Sequence, residues 1–204
     1  MINVPLRSAR GRNAPLPVPL DGEVFILSRP GIRFSADLPA PVARRIGADG
    51  VVVFTSLRLV FIAPSAVPLA AREERGGGGS AEARFVSFDV PLASIADEAF
   101  QQPVFGANSL TGTVVAVPGG GLPPGLRVTF GFEFRDGGVG TFLPVLIRVL
   151  SETRRLAAAP PTARLAPSAR SQIFEDIRLG RFGGAAYVDP SDPTTLFLSQ
   201  PPRE

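Results

Sequence analysis

The segment from Leu126 to Phe134 (LRVTFGFEF) constrains the fold more than any other part of this chain. Leu126, Val128, Phe130, Phe132 and Phe134 fall on one side of an extended backbone, while Arg127, Thr129, Gly131 and Glu133 fall on the other. A period of two with β-branched and aromatic residues on the apolar side is the pattern of a strand buried on one face and wet on the other. No helix can use it, because a helix would scatter the same five residues around its circumference.

The same rhythm recurs upstream. Ile32, Phe34, Ala36 and Leu38 alternate with Arg33, Ser35 and Asp37. Gly50–Phe54 (GVVVF) and Leu57–Ile62 (LRLVFI) read as two strands joined by a tight turn at Thr55-Ser56. Phe85–Val90 reads as a strand with Val86, Phe88 and Val90 inward, and Leu110–Val117 as the hairpin partner of Leu126–Phe134 across the loop Pro118–Gly125. Asp136-Gly137-Gly138 supplies left-handed positions for the reversal that follows. The pattern then changes period: Leu143, Leu146, Ile147 and Leu150 recur at i, i+3, i+4 and i+7, one apolar helix face, with Thr141 as its expected cap and Pro144 in its first turn. Several strands closed by one helix predict a mainly β (α+β) domain, a partly open antiparallel barrel or sandwich of the PH-like kind.

Composition narrows the chemistry. The 204 residues contain no His and no Cys, and inspection of the sequence finds no Lys, so all 21 basic residues are Arg. That excludes His-based acid–base work, Cys nucleophiles, His or Cys metal ligands, the Walker phosphate loop and Schiff-base catalysis. Paired acids occur at Glu73-Glu74 and Asp97-Glu98, and they read as solvated surface charge. The expectation is therefore a protein that is not an enzyme and has no cofactor and no metal.

Charge is unevenly placed. Residues 1–20 carry three Arg (Arg7, Arg10, Arg12) and no acid, residues 21–153 carry 11 Arg against 13 acids, and residues 154–204 carry 7 Arg against 5 acids. The centre is nearly neutral and the ends are basic, which assigns any contact with phosphate or anionic lipid to the arms. The expected organisation is a basic, Pro-rich arm at 1–19, a folded domain at 20–156 and a Pro/Ala/Arg-rich, mostly disordered tail at 157–204. Within that tail Ile173, Phe174, Tyr187, Leu196, Phe197 and Leu198 are apolar islands suited to docking on the domain or on a partner. No apolar run approaches the ~18–20 residues that cross a bilayer, so no integral membrane segment is expected.

The string Gln102–Val114 (QPVFGANSLTGTV) resembles the signature of the GRAM domain in the WW-domain-binding protein 2 family. GVVVFTSLRLVFIAP, FVSFDVPLASIADEAF and GGVGTFLPVLIRVLSETRR resemble the strands and closing helix around it, so the resemblance covers about residues 20–156 and resumes weakly at Tyr187–Pro202. It implies a PH-like GRAM domain serving as an adaptor in the nucleus and cytoplasm. The implied partners are transcription-related proteins, chromatin is met indirectly, and an anionic membrane surface is the alternative partner. The family's WW-binding Pro-Pro-x-Tyr motif is absent from these residues, since the single Tyr187 follows Ala185-Ala186.

Two groups remain as candidate sites. Arg29, Arg33, Arg44 and Arg45 read as a cationic rim able to receive phosphoinositide headgroups. In the signature loop Gln102, Pro103, Val104, Phe105, Gly106, Ala107 and Asn108, the reading is structural: Gly106 and Asn108 shape the connection while Val104 and Phe105 pack inward.

Overall fold

The structure is a computed structural model that describes residues 2–7, 15–68, 84–158, 187–188 and 196–197. Of the candidate tail residues, Ile173, Phe174 and Leu198 lie outside the described residues. Tyr187 and Leu196–Phe197 are described in their backbone alone, where β10 (Tyr187–Val188) pairs antiparallel with β11 (Leu196–Phe197).

Seven antiparallel strands form one strongly bent sheet. They are β3 (Phe25–Leu38), β4 (Arg44–Thr55), β5 (Arg58–Pro68), β6 (Arg84–Pro91), β7 (Ile95–Gln101), β8 (Asn108–Val115) and β9 (Arg127–Phe134), in the order β6-β5-β4-β3-β9-β8-β7. The sheet does not close: β6 and β7 are its two edges, joined in sequence by a single 3-10 turn at Leu92–Ser94. The helix α1 (Val139–Ala158) covers the open end, which makes the whole a PH-like sandwich.

The bend has local causes. β3 pairs with β4 along its length, but only Ile32–Asp37 also pair with β9, and a register shift separates the two halves at Arg29/Ile32. Gly31 sits in that shift at φ +67, a conformation that costs glycine little. On β4 the change comes at Gly50, after which β5 joins the ladder. A Cβ at Gly50 would lie 2.2 Å from the Ile62 carbonyl oxygen, so the close approach of the two strands requires glycine there.

Phenylalanine fills the interior. Phe34 stacks on Phe61 at 4.7 Å between ring centroids and meets Phe88 at 5.1 Å and Phe132 at 5.4 Å. Phe142 of α1 plugs the open end between Phe54 at 5.4 Å and Phe134 at 5.1 Å.

Three local expectations are corrected. In β6 the inward residues are Phe85, Phe88 and Val90, with Val86 only half-buried, because the ladder with β5 shifts register between Ile62 and Val67 and breaks the period of two. The helix begins at Val139, where the Phe142 N–H donates to the Gly138 carbonyl, so Thr141 lies inside the first turn and Pro144 beyond it. Its buried face is Phe142, Leu146, Val149 and Leu150; Leu143 and Ile147 sit on its flank.

The runs Val51–Phe54 and Leu59–Ile62 are apolar on both faces because both are covered. The inner face meets the Phe core, and on the outer face Val53, Val60 and Ile62 form a second cluster with Val4, Leu6, Leu16, Phe25 and Val51. Leu6 and Leu16 come from a short N-terminal hairpin, β1 (Leu6–Arg7) with β2 (Leu16–Pro17). A buried ion cluster fastens the chain that follows. Arg58, whose side chain is 6% exposed, grips the fully buried Glu23 side chain through Nε–Oε1 at 2.8 Å and Nη2–Oε2 at 3.0 Å, donates to the Val18 carbonyl at 2.8 Å and reaches Asp89 at 3.3 Å. Thr55 Oγ1 and the Leu20 N–H each add a 2.7 Å bond to Glu23.

Candidate functional site

The four arginines of the expected rim are on β3 and β4, but the register disperses them. Arg33 is the cross-strand partner of Asp49 and bonds it at 3.1 Å; Arg45 is the partner of Asp37, with 3.4 Å between Nε and Oδ1. These pairs are solvent-exposed, so each contributes at most about 1 kcal/mol, yet they halve the free charge of the rim. Arg29 lies on the far side of the Gly31 register shift from Arg33 and from the Asp37↔Arg45 and Leu38↔Arg44 pairs. There it packs under the start of α1, where a Cβ on Gly138 would come within 3.1 Å of its Cδ and Nε. Burial pushes the Arg29 pKa down, and its Nε has no hydrogen-bond partner among the described residues. Arg44 forms no ion pair among the described residues and lines a shallow hollow of about 390 Å³ with Leu38, Val42, Ile46 and Leu122. One joint headgroup site is not what this geometry makes.

The signature loop departs furthest from expectation. Val104 is 91% exposed and Phe105 92%, so neither packs inward. The ladder between β7 and β8 runs up to Gln101↔Ser109, and residues 102–107 continue past the end of the sheet. Gly106 at φ +110 turns the chain back, leaving the two apolar side chains at the tip. Loops follow no apolar period, so pattern could not show which way these side chains point. The surroundings are balanced in charge: Glu133 lies across the ladder from Ser109, and Arg135 is shared between Asp49 at 3.3 Å and Glu133 at 3.7 Å.

Beside this loop runs a groove of about 220 Å³ between β7 and α1. Phe100 and Leu110 line it from the sheet, and Leu143 and Ile147 from the helix; Ile147 is 56% exposed. At its far end Arg154 holds Glu98 in a two-pronged ion pair at 2.7 and 2.6 Å. The hydrogen bonds from Arg154 hold the Glu98 carboxyl below the usual range, and Arg154 is raised in turn. Among the described residues no group of three or more acidic side chains is placed to hold a metal ion, and no helix is long and apolar enough to cross a membrane.

Comparison with known proteins gives the following. No family model matches the chain. It is 29% identical over 118 residues to the UPF0664 stress-induced protein of Schizosaccharomyces pombe, covering 58% of this chain and 58% of that protein. It is 30% identical over 111 residues to a postacrosomal sheath WW domain-binding protein of Macaca fascicularis, covering 54% of this chain and 37% of that one. The Bos taurus protein of the same name is 28% identical over 106 residues, 52% of this chain and 29% of that one. Two of these three relatives carry the name WW domain-binding protein, in line with the resemblance read from the sequence. In each case the alignment spans less than two thirds of the relative's length.

Proposed function

We propose that this chain is a non-catalytic protein-interaction adaptor whose principal contact is the Val104–Phe105 tip. The setting is the one the resemblance implies: support of transcription, in nucleus and cytoplasm. The observation that carries the reading is the exposure of two adjacent large apolar side chains on a loop built to hold them out. Burying such a pair is worth about 1.5–3 kcal/mol per side chain, and the domain forgoes that in isolation. A partner's apolar pocket recovers it, as the anchor residues of interfaces do.

Charge favours a protein partner over a lipid surface. Membrane-docking tips combine apolar residues with a surplus of Arg or Lys, whereas Arg135, the cation by this loop, is already shared by Asp49 and Glu133. The relatives named as WW domain-binding add support for a protein partner. Without a Pro-Pro-x-Tyr motif in these residues, the contact falls to the domain.

The test compares the full chain with Val104→Ser/Phe105→Ser in affinity capture from nuclear and cytoplasmic extracts, alongside co-sedimentation with liposomes of graded phosphoinositide content. The expected result is loss of captured proteins in the variant and no sedimentation of either. Unchanged capture removes the reading. Salt-sensitive sedimentation abolished by Arg33→Ala or Arg45→Ala replaces it with a peripheral membrane role.

A further inference from the structure

The two edges of the sheet are treated differently. Along β6 the backbone is occupied by the first residues of the chain. Ile2 bridges Phe88, the Asn3 N–H donates to the Ser87 carbonyl at 2.8 Å, the Asn3 Nδ2 donates to the Arg84 carbonyl at 2.7 Å, and its Oδ1 accepts from the Val86 N–H at 2.8 Å. One asparagine thereby does the work of a neighbouring strand.

The β7 edge has no such cover among the described residues. Its first half is blunted by a register shift between Ala96 and Ala99 with Asp97 at φ +52, a device that discourages pairing. Ala99–Gln101 is regular again, opposite Thr111, Leu110 and Ser109. In an antiparallel ladder alternate residues turn their N–H and C=O away from the partner, so this stretch presents groups to a further strand. The groove runs directly alongside. Its volume suits one large side chain rather than a ligand of the usual 300–1,000 Å³.

Charge selects among occupants. The charged residues that line the groove, Glu98 and Arg154, neutralise each other, Arg155 is paired with Glu152 and Asp97 of β7 with Arg127, which leaves Arg148, next to Ile147 on α1, as one surplus positive charge at its edge.

We propose that β7 and α1 form a peptide-docking groove. Its occupant is an extended acidic segment of a partner protein that adds to Ala99–Gln101 as a strand and seats one large apolar residue between Phe100 and Ile147. This rests on the adaptor reading and specifies how the partner is held. Strand addition supplies affinity through the main chain and selectivity through one side-chain pocket.

A display library of random nonapeptides selected against the full chain tests it. The expected consensus pairs a large apolar residue with Asp or Glu. In fluorescence anisotropy the selected peptides lose at least about tenfold in affinity on Ile147→Asp and several-fold on Arg148→Glu, both exposed positions, with circular dichroism checking that the fold is kept. Hydrogen exchange at Ala99–Gln101 slows when peptide is added. No enrichment, unchanged affinity for Ile147→Asp, or unchanged exchange at Ala99–Gln101 overturns the proposal. So does protection already present without peptide, which marks the chain's own later residues as occupant, or protection that rises with protein concentration, which marks a second copy. If Ile147→Asp keeps every partner that Val104→Ser/Phe105→Ser loses, the adaptor reading stands and the groove falls.

Discussion

Replacing Arg58 with Ala should destabilise the domain by about 3–5 kcal/mol, the usual cost of stripping the counter-ion from a buried charge. The cost falls on Glu23, whose side chain is fully buried and takes two of its bonds from that guanidinium. In the intact protein burial by itself would raise the Glu23 pKa, but hydrogen bonds from Arg58, Leu20 and Thr55, with the charge of Arg58, outweigh it and hold the carboxyl below the usual range. A depressed folded-state pKa contributes stability that is present above the unfolded pKa and lost as pH falls through the folded one. Without Arg58 the sign reverses: burial dominates, the pKa rises, and protonation relieves the variant. The deficit relative to wild type should therefore be largest near neutral pH and shrink as pH drops through the carboxylate range. With no Trp in the chain, urea unfolding is best followed by far-ultraviolet circular dichroism. At a slope of about 2 kcal/mol/M the midpoint falls by roughly 2 M. Glu23→Leu/Arg58→Met, which removes the buried pair but also takes the Arg58 contact from Asp89, should recover part of the loss. A midpoint shift under about 0.5 M for Arg58→Ala, or a double variant as weak as the sum of the singles, refutes the account.

Other substitutions probe the remaining parts. Phe34→Ala empties the centre of the aromatic stack and should cost about 3–5 kcal/mol in the same assay. Gly50→Ala drives a methyl group to 2.2 Å from a backbone oxygen, and a loss of about 1–3 kcal/mol is expected by thermal denaturation. Val104→Ser/Phe105→Ser should change stability by no more than about 0.5 kcal/mol while it abolishes partner capture, because neither side chain is packed in the free domain. Arg154→Gln should likewise cost under about 1 kcal/mol, since its pair with Glu98 is largely in water.

How much of this was legible in the sequence depends on whether a residue sits in a periodic element. The second half of β3 follows the alternation residue by residue and β9 does so except at Gly131, which is buried beside Ser35, and the helix was visible from Leu146 and Leu150, although Phe142 and Val149 complete its buried face. The N-terminal hairpin was missed, yet its signal was present: Val51–Phe54 is apolar without alternation, and a strand buried on both faces needs a cover on each. Phe85 was hidden by a register shift that no single strand records. The arginine rim failed on pairing, because Asp37 and Asp49 sit across from Arg45 and Arg33 only once the β3–β4 register is known. Val104 and Phe105 obey no period, and hydrophobicity alone gives a preference for burial without a direction.

Among the described residues phenylalanine and one closed ion cluster fill the interior, so the binding role proposed above falls to the perimeter. Most of the perimeter is covered: the N-terminal hairpin lies on the outer face of β4 and β5, Asn3 occupies the β6 edge, and α1 fills the open end. Among the described residues four large apolar side chains are more than half exposed, namely Leu20, Val104, Phe105 and Ile147. Three of the four belong to the loop that continues β7 and to the helix flank that walls its groove. Scattered apolar exposure is ordinary on a protein surface, but its concentration along one uncovered strand supports the partner surface proposed above.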